Sequence, residues 1–426
     1  MANNVNSLVS ETKKVKEPLF HISRKTNTSL KTKIIIKVGV ILGLFLIFGL
    51  VTTLIAKDFT KFGSFFETLI LKTFRNANSF RSTLYDFALL FGASICIYPA
   101  FKMKYWNLGV AGQVLIGAIG AFAVLNYGAN VIPDVILVIL MLLAALVCSV
   151  IWAVIPAIFK AYFNTNESLF TLMMNYIAIV LVTLFVKLWH NNVSGSIDPI
   201  EFGFGNWVTS NRYSLYTIIT IAILIIAVIV SIYIKKSKHG YEISVIGGSK
   251  NTARYIGINV KKVIIRTLAL SGLIAGFIAF AIVLVNRSLS TQFADTGYGF
   301  TGILTLWCGG GNPILTGLFS YLYVFSNNGL ASVAGNLHIS SYISQIYLSI
   351  LFLFLIGCEF FLNYNVVFRK KNVEEKTETS NEVVVEKEPA SSEETPKADD
   401  KKIKKTTSKK TTKKTNSLKT NKKGGK

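Results

Sequence analysis

Apolar runs of about 18 residues or more recur along this chain, and each is long enough to cross the ~30 Å hydrocarbon layer of a bilayer. They fall at 34–56, 83–100, 106–127, 133–159, 168–189, 213–234, 263–285 and 342–368. Backbone N–H and C=O groups find no water inside hydrocarbon, so each run must satisfy them internally as a helix. The predicted fold is an all-α polytopic membrane protein with about eight full transmembrane helices. Between Tyr298 and Phe325 two apolar pieces are split by Gly309-Gly-Gly-Asn-Pro313. Each piece is too short to cross alone, which predicts a broken or re-entrant pair.

Charge supports this reading. Only 16% of residues are charged, against roughly 25% in soluble domains, so a soluble enzyme, a secreted disulfide scaffold and a collagen-like rod are excluded. Of the 22 acids, 12 precede Arg369, and 18 of the 45 Lys and Arg lie in the last 58 residues. A cytoplasmic arm (1–33) therefore leads into a transmembrane body (34–368) and a tail (369–426). The tail has too little apolar surface to offset its ordering entropy and is predicted to be disordered and Lys-rich. It reads first as a solvating segment; lipid contact is an alternative, and nucleic acid is not the expected partner. The arm lacks a small-residue cleavage signal after the first run, which predicts a retained span. Lys37 in that run is expected to snorkel to the headgroups.

Basic residues set the expected orientation. The loop 235–262 carries seven Lys/Arg against the single acid Glu242. With both termini and this loop cytoplasmic, the count of crossings closes if the 298–325 pair returns to the outer face. The expected location is the plasma membrane. The stretch 57–82, with five Lys/Arg, opposes this assignment and is the price of it.

No GxxxxGK[ST] loop, HExxH or GxSxG occurs, so no nucleotide hydrolysis, zinc or serine chemistry is expected of this chain. Cys96, Cys148, Cys308 and Cys358 lie in apolar segments without metal-ligand spacing, so no metal site is expected. Acids are rare in the spans. Glu359 is expected either to work in the pathway or to partner a nearby donor, with Asp86 and Asp134 near span starts. A transporter without its own motor or ion coupling needs an external one, which directs attention to 235–262. There Ser249 to Gly257 reads as a short helix, with Ser249 as N-cap and Gly257 as its stop.

That loop, Gly240-Tyr-Glu-Ile-Ser-Val-Ile-Gly-Gly-Ser-Lys-Asn-Thr-Ala-Arg-Tyr-Ile-Gly-Ile-Asn-Val-Lys-Lys262, precedes Ala269-Leu-Ser-Gly-Leu-Ile-Ala-Gly276. Together they resemble the coupling loop and following span of ABC-importer permeases in the branched-chain amino acid, ribose and nucleoside superfamily. Asn107-Leu-Gly-Val-Ala-Gly-Gln-Val-Leu-Ile-Gly117, Asn166-Glu-Ser-Leu-Phe-Thr-Leu-Met-Met-Asn-Tyr-Ile177 and Gly297-Tyr-Gly-Phe-Thr-Gly-Ile303 resemble its nucleoside and simple-sugar branch. Ala111 and Ser244 depart from it, standing where an acid and a base are frequent.

The resemblance implies an ATP-driven importer of nucleosides, with ribose, galactose or another simple sugar as the alternative cargo. Its partners would be an ATP-binding subunit carrying the ATP and Mg, a second permease (a paralogue, giving a heterodimer) and a substrate-binding lipoprotein. This chain would bind no cofactor. Ser249, Asn251, Thr252, Ala253, Arg254, Tyr255 and Gly257 would form the coupling helix, Arg254 pairing with an acidic groove and Asn251 capping or hydrogen-bonding. Small residues at Ser271, Gly272 and Gly276 would allow close helix contact. Trp106, Asn107, Gln113, Asn175, Trp307 and Asn312 are the candidate pathway residues. Their alternatives are interhelical hydrogen bonds for the amides and headgroup anchoring for the tryptophans. A secondary transporter or channel would instead show inverted repeats or intramembrane charges. A membrane enzyme would need a catalytic cluster.

Overall fold

The computed structural model describes residues 20–24, 30–190 and 196–368. The expectation for the tail 369–426, and that for most of the arm, lies outside the described residues. The elements run β1 (Phe20–Arg24), α1 (Leu30–Ala56), α2 (Lys61–Phe74), α3 (Ala77–Lys102), α4 (Val110–Gly128), α5 (Asp134–Phe163), α6 (Glu167–His190) and α7 (Gly203–Ser210). They continue with α8 (Arg212–Lys236), α9 (Lys238–Gly248), α10 (Lys250–Tyr255), α11 (Val260–Asn286), α12 (Gln292–Asp295), α13 (Tyr298–Cys308), α14 (Pro313–Asn336), α15 (Ser341–Asn363) and β2 (Tyr364–Phe368). Among the described residues, 8 helices are long and apolar enough to cross a membrane: α1, α3, α4, α5, α6, α8, α11 and α15.

The centre is α11, buried along most of its length against α3, α4 and α5. Side-chain size decides that packing. A Cβ on Gly272 would meet Val150 Cα at 2.7 Å, and one on Gly276 would meet the Ala145 carbonyl oxygen at 2.8 Å. α4 approaches α5 in the same way, since a Cβ on Gly120 would lie 2.9 Å from the Ala144 carbonyl oxygen. Without hydrophobic drive between helices in lipid, such close backbone contact supplies the dispersion energy that holds them. α5, α6 and α8 keep one side apolar and exposed, as lipid-facing helices do.

A second apolar cluster joins α1, α2, α14 and α15, with Phe48 stacked on Tyr347 at 4.5 Å and Phe65 fully buried. Here Lys37 does not snorkel outward. It turns inward to Glu359 at 2.5 Å and donates to the Cys308 carbonyl at 2.9 Å. Desolvating an ammonium is offset only by such a partner; Glu359 is thus the partner of a nearby donor.

Two further differences from the sequence reading have local causes. The first half of the 298–325 pair, α13, is as short as expected at 11 residues, but α14 runs 24 residues, about 36 Å at 1.5 Å per residue. The helix continues past Phe325 because its polar residues are satisfied in place. Ser326 donates to the Leu322 carbonyl, and Asn328 donates to the Asp86 carboxylate at 3.0 Å. The last helix stops at Asn363, not Phe368: Tyr364–Phe368 forms an antiparallel ribbon with Phe20–Arg24, pairing Phe20 with Phe368. The β-branched Val366 and Val367 suit a strand better than a helix end, so an otherwise all-α fold carries one two-stranded ribbon.

Candidate functional site

The segment 235–262 is almost wholly helical. Ser237 caps α9, its hydroxyl accepting from the Gly240 N–H at 2.9 Å. The corner between α8 and α9 is so tight that a Cβ on Gly240 would lie 2.1 Å from the Ile234 carbonyl oxygen. At the other end of α9, a Cβ on Gly247 would lie 2.2 Å from the Lys102 carbonyl oxygen, so α9 rests directly on the end of α3.

His239 fastens the same corner from inside. Its Nδ1 lies 3.0 Å from the Tyr233 hydroxyl of α8 and its Nε2 3.2 Å from Thr267 Oγ1 of α11. Thr267 gives its own proton to the Val263 carbonyl at 2.7 Å, so Nε2 donates to Thr267 and Nδ1 accepts from Tyr233. Burial, the largest cause, lowers the His239 pKa and favours this neutral ring, with the Val263 backbone and Glu242 opposing and Arg266 adding to it.

From this base α10 projects as a small, self-contained knob. Ser249 takes extended dihedrals and accepts from the Thr252 N–H at 3.2 Å, closing the first turn. At the far end Gly257 takes φ +81° and donates to the Arg254 carbonyl at 3.0 Å, while Ile258 donates to the Ala253 carbonyl at 2.9 Å. Of the expected coupling residues only Ala253 is buried; Lys250, Asn251, Thr252 and Arg254 are exposed and Tyr255 is 91% exposed. The cap is Ser249, and Asn251 stands free of that duty.

The second constellation lies where α3 ends and the chain runs non-helical to Gly109. Asn107 and Gln113, each 1% exposed, are engaged with their neighbours. Asn107 donates to Ser271 Oγ at 3.0 Å and accepts from the Gly109 N–H at 3.0 Å; Ser271 Oγ donates to Gln113 Oε1 at 3.3 Å. Asn175 donates to the Leu108 carbonyl at 2.7 Å and accepts from the Gly112 N–H at 2.8 Å. Thr171 receives the Leu108 N–H at 3.1 Å, and Ser149 donates to the Gln113 carbonyl at 2.8 Å. The amides therefore satisfy the irregular backbone that hydrocarbon would otherwise strand.

Trp106 and Trp307, 43% and 46% exposed, come together edge to face at 6.0 Å, with Phe101 against Trp106 at 6.5 Å. Asn312 caps α14, accepting from the Ile314 N–H at 3.1 Å. The structure thus unites Asn107, Gln113 and Asn175 in one network and pairs the two tryptophans. The sequence reading missed Cys96, Ser149 and Thr171 as members of the network. Cys96 Sγ lies 3.1 Å from Ser271 Oγ, and residues 175 positions apart leave no local spacing to read.

Residues 79–356 match the family described as the branched-chain amino acid transport system, permease component. Among individual relatives, the chain is 24% identical over 262 residues to the nucleoside ABC transporter permease protein NupB of Lactococcus lactis. That alignment covers 58% of this chain and 71% of the relative. It is 29% identical over 229 residues to the guanosine ABC transporter permease protein NupP of Bacillus subtilis, covering 52% of this chain and 65% of the relative. It is also 25% identical over 297 residues to the glucose ABC transporter permease protein TsgB13 of Haloferax volcanii, covering 64% and 75% respectively.

Proposed function

Since the chain belongs to this permease family, we propose that it is the multi-pass membrane permease of an ATP-driven importer carrying nucleosides. Two of the relatives are named for nucleoside and guanosine transport. The glucose permease supports a simple sugar as the second reading. The observation that carries the proposal is the capped, outward-facing knob of α10 inside the family match. A rigid stub with Arg254, Tyr255 and Ile256 outermost fits a groove on a separate ATP-binding subunit. That subunit would hold ATP and Mg. A substrate-binding lipoprotein would deliver cargo, and a paralogous second permease would complete the pathway. The basic end with 235–262 and both termini would face the cytoplasm.

The lever follows from the contacts. A push on α10 passes into α9, whose Gly247 bears on the end of α3 and whose His239 is bonded to α8 and α11. α11 is locked to α5 through Gly272 and Gly276 and carries Ser271 into the amide network at Asn107 and Gln113. Movement of α11 would therefore loosen the 103–109 break and free these amides for hydroxyls or ring nitrogens of a solute. Trp106 and Trp307 would offer faces to a base, each stack worth about 1–3 kcal/mol. Asn312 would cap the neighbouring turn.

The test is reconstitution with the partner subunits. Arg254→Ala with Tyr255→Ala should abolish uptake of labelled nucleoside while the chain still inserts and assembles its spans. Unaltered uptake would defeat the coupling assignment. Labelled glucose carried in place of nucleoside would shift the cargo to the second reading.

A further inference from the structure

A cavity of about 300 Å³ opens at the foot of α8, α9 and α11, lined by Tyr233, Ser237, Lys238, His239, Glu242 and Arg266. We propose that it binds a phosphate group, carried either by an anionic phospholipid headgroup or by free phosphate from solution. Two cations, Lys238 on α9 and Arg266 on α11, face one space. Among the described residues the ion pairs are Lys37–Glu359, Lys160–Glu167 and Arg287–Glu201, so neither cation is ion-paired. Like charges sharing a cavity repel, and a bound anion relieves that repulsion. His239 adds no charge, because both its nitrogens are bonded and burial lowers its pKa. The Ser237 hydroxyl uses its oxygen on the Gly240 N–H, leaving its proton for an anion. The donor set is then an ammonium, a planar guanidinium fork and a hydroxyl, which is the chemistry that holds phosphate. Glu242 is the one opposing charge in the lining.

Depth favours access from the headgroup layer. α11 has 27 residues, about 40 Å against ~30 Å of hydrocarbon, and Lys261 and Lys262 in its first turn put the surplus length at this end. Arg266 lies in the second turn and Tyr233 in the last turn of α8, an aromatic at the interface as expected there. The volume sits at the small end of ligand pockets, which run from about 300 to 1,000 Å³. Basic pockets between spans are places where lipid headgroups dock. The site does not depend on the transport reading; a chain that moved no solute would still bind there.

The experiment uses the full chain in vesicles of phosphatidylcholine, with or without phosphatidylglycerol, and in phosphatidylcholine with added inorganic phosphate. Bound lipid is read by native mass spectrometry and bound phosphate by equilibrium dialysis. Lys238→Gln with Arg266→Gln should weaken retention about tenfold or more. Lys235→Gln with Lys236→Gln removes equal charge outside the lining and should leave it near wild type. Arg266→Lys alone keeps the charge and loses the planar fork, so it should weaken binding less than the double Gln variant and more than Lys235→Gln with Lys236→Gln. Retention of phosphatidylglycerol identifies the lipid source, and phosphate bound in neutral vesicles identifies the soluble one. Binding of neither, or equal losses in the two double variants, overturns the proposal.

Discussion

Gly247 and Gly248 stand side by side at the end of α9, yet their surroundings differ completely. A Cβ at 247 would lie 2.2 Å from the Lys102 carbonyl oxygen, whereas one at 248 meets nothing within 4 Å. Closest comfortable carbon–oxygen contact is about 3.3 Å, so Gly247→Ala forces α9 and the end of α3 apart by about 1 Å. Overpacking of this kind costs about 1–3 kcal/mol. Both substitutions also gain about 0.5–1 kcal/mol from restricting the unfolded chain. Gly248→Ala should therefore raise the unfolding temperature slightly, and Gly247→Ala should lower it, the pair separating by about 1–3 kcal/mol. Thermal unfolding in detergent measures the first difference. Reconstituted uptake measures the second, because a wedge between α9 and α3 disturbs the lever while leaving the α10 knob intact. If the two alanine variants melt together and transport alike, α9 does not bear on α3 and the lever is wrong.

Breaking the Lys37–Glu359 pair by Glu359→Gln should destabilise by about 1–3 kcal/mol, below the ~3–5 kcal/mol of a fully buried pair because both side chains keep some exposure. Lys37→Met added to it should recover part of the loss in the same melting assay. His239 has a folded pKa below its ordinary 6.5, so the unfolded chain takes up its proton first and stability falls as pH drops through 6.5 towards the folded value. His239→Gln should flatten that part of a stability–pH profile; an unchanged slope would place the titration elsewhere. Deletion of 369–426 should leave uptake largely intact, since the family match stops at residue 356; complete loss of transport at normal expression would contradict this.

Hydropathy made the spans legible because burial in lipid acts on every residue of a run at once. The short helix of 249–257 was legible for a different reason: caps are local, and Ser249 and Gly257 announce both ends of α10 within nine residues. What escaped was long-range pairing. α14 overruns Phe325 because Asn328 meets Asp86, which lies on another helix. Lys37 turns inward because Glu359 waits there, and the ribbon of 20–24 with 364–368 needs both ends of the body at once. The amides at 107, 113 and 175 were readable as polar residues in apolar surroundings. Their engagement with Ser271 and the 107–112 backbone depends on α6 and α11 being in place.

The ribbon and the Lys37–Glu359 contact together impose an order of events during synthesis. The first span leaves the ribosome with an ammonium in its opening turns, and its counter-charge is encoded near the far end of the body. At roughly 5–20 residues per second, the roughly 320 residues from Lys37 to Glu359 take about 16–64 s to make, and the helix waits that long for its counter-charge. Until then something other than its final neighbour, such as water in the insertion channel or a lipid phosphate, has to shelter that amine.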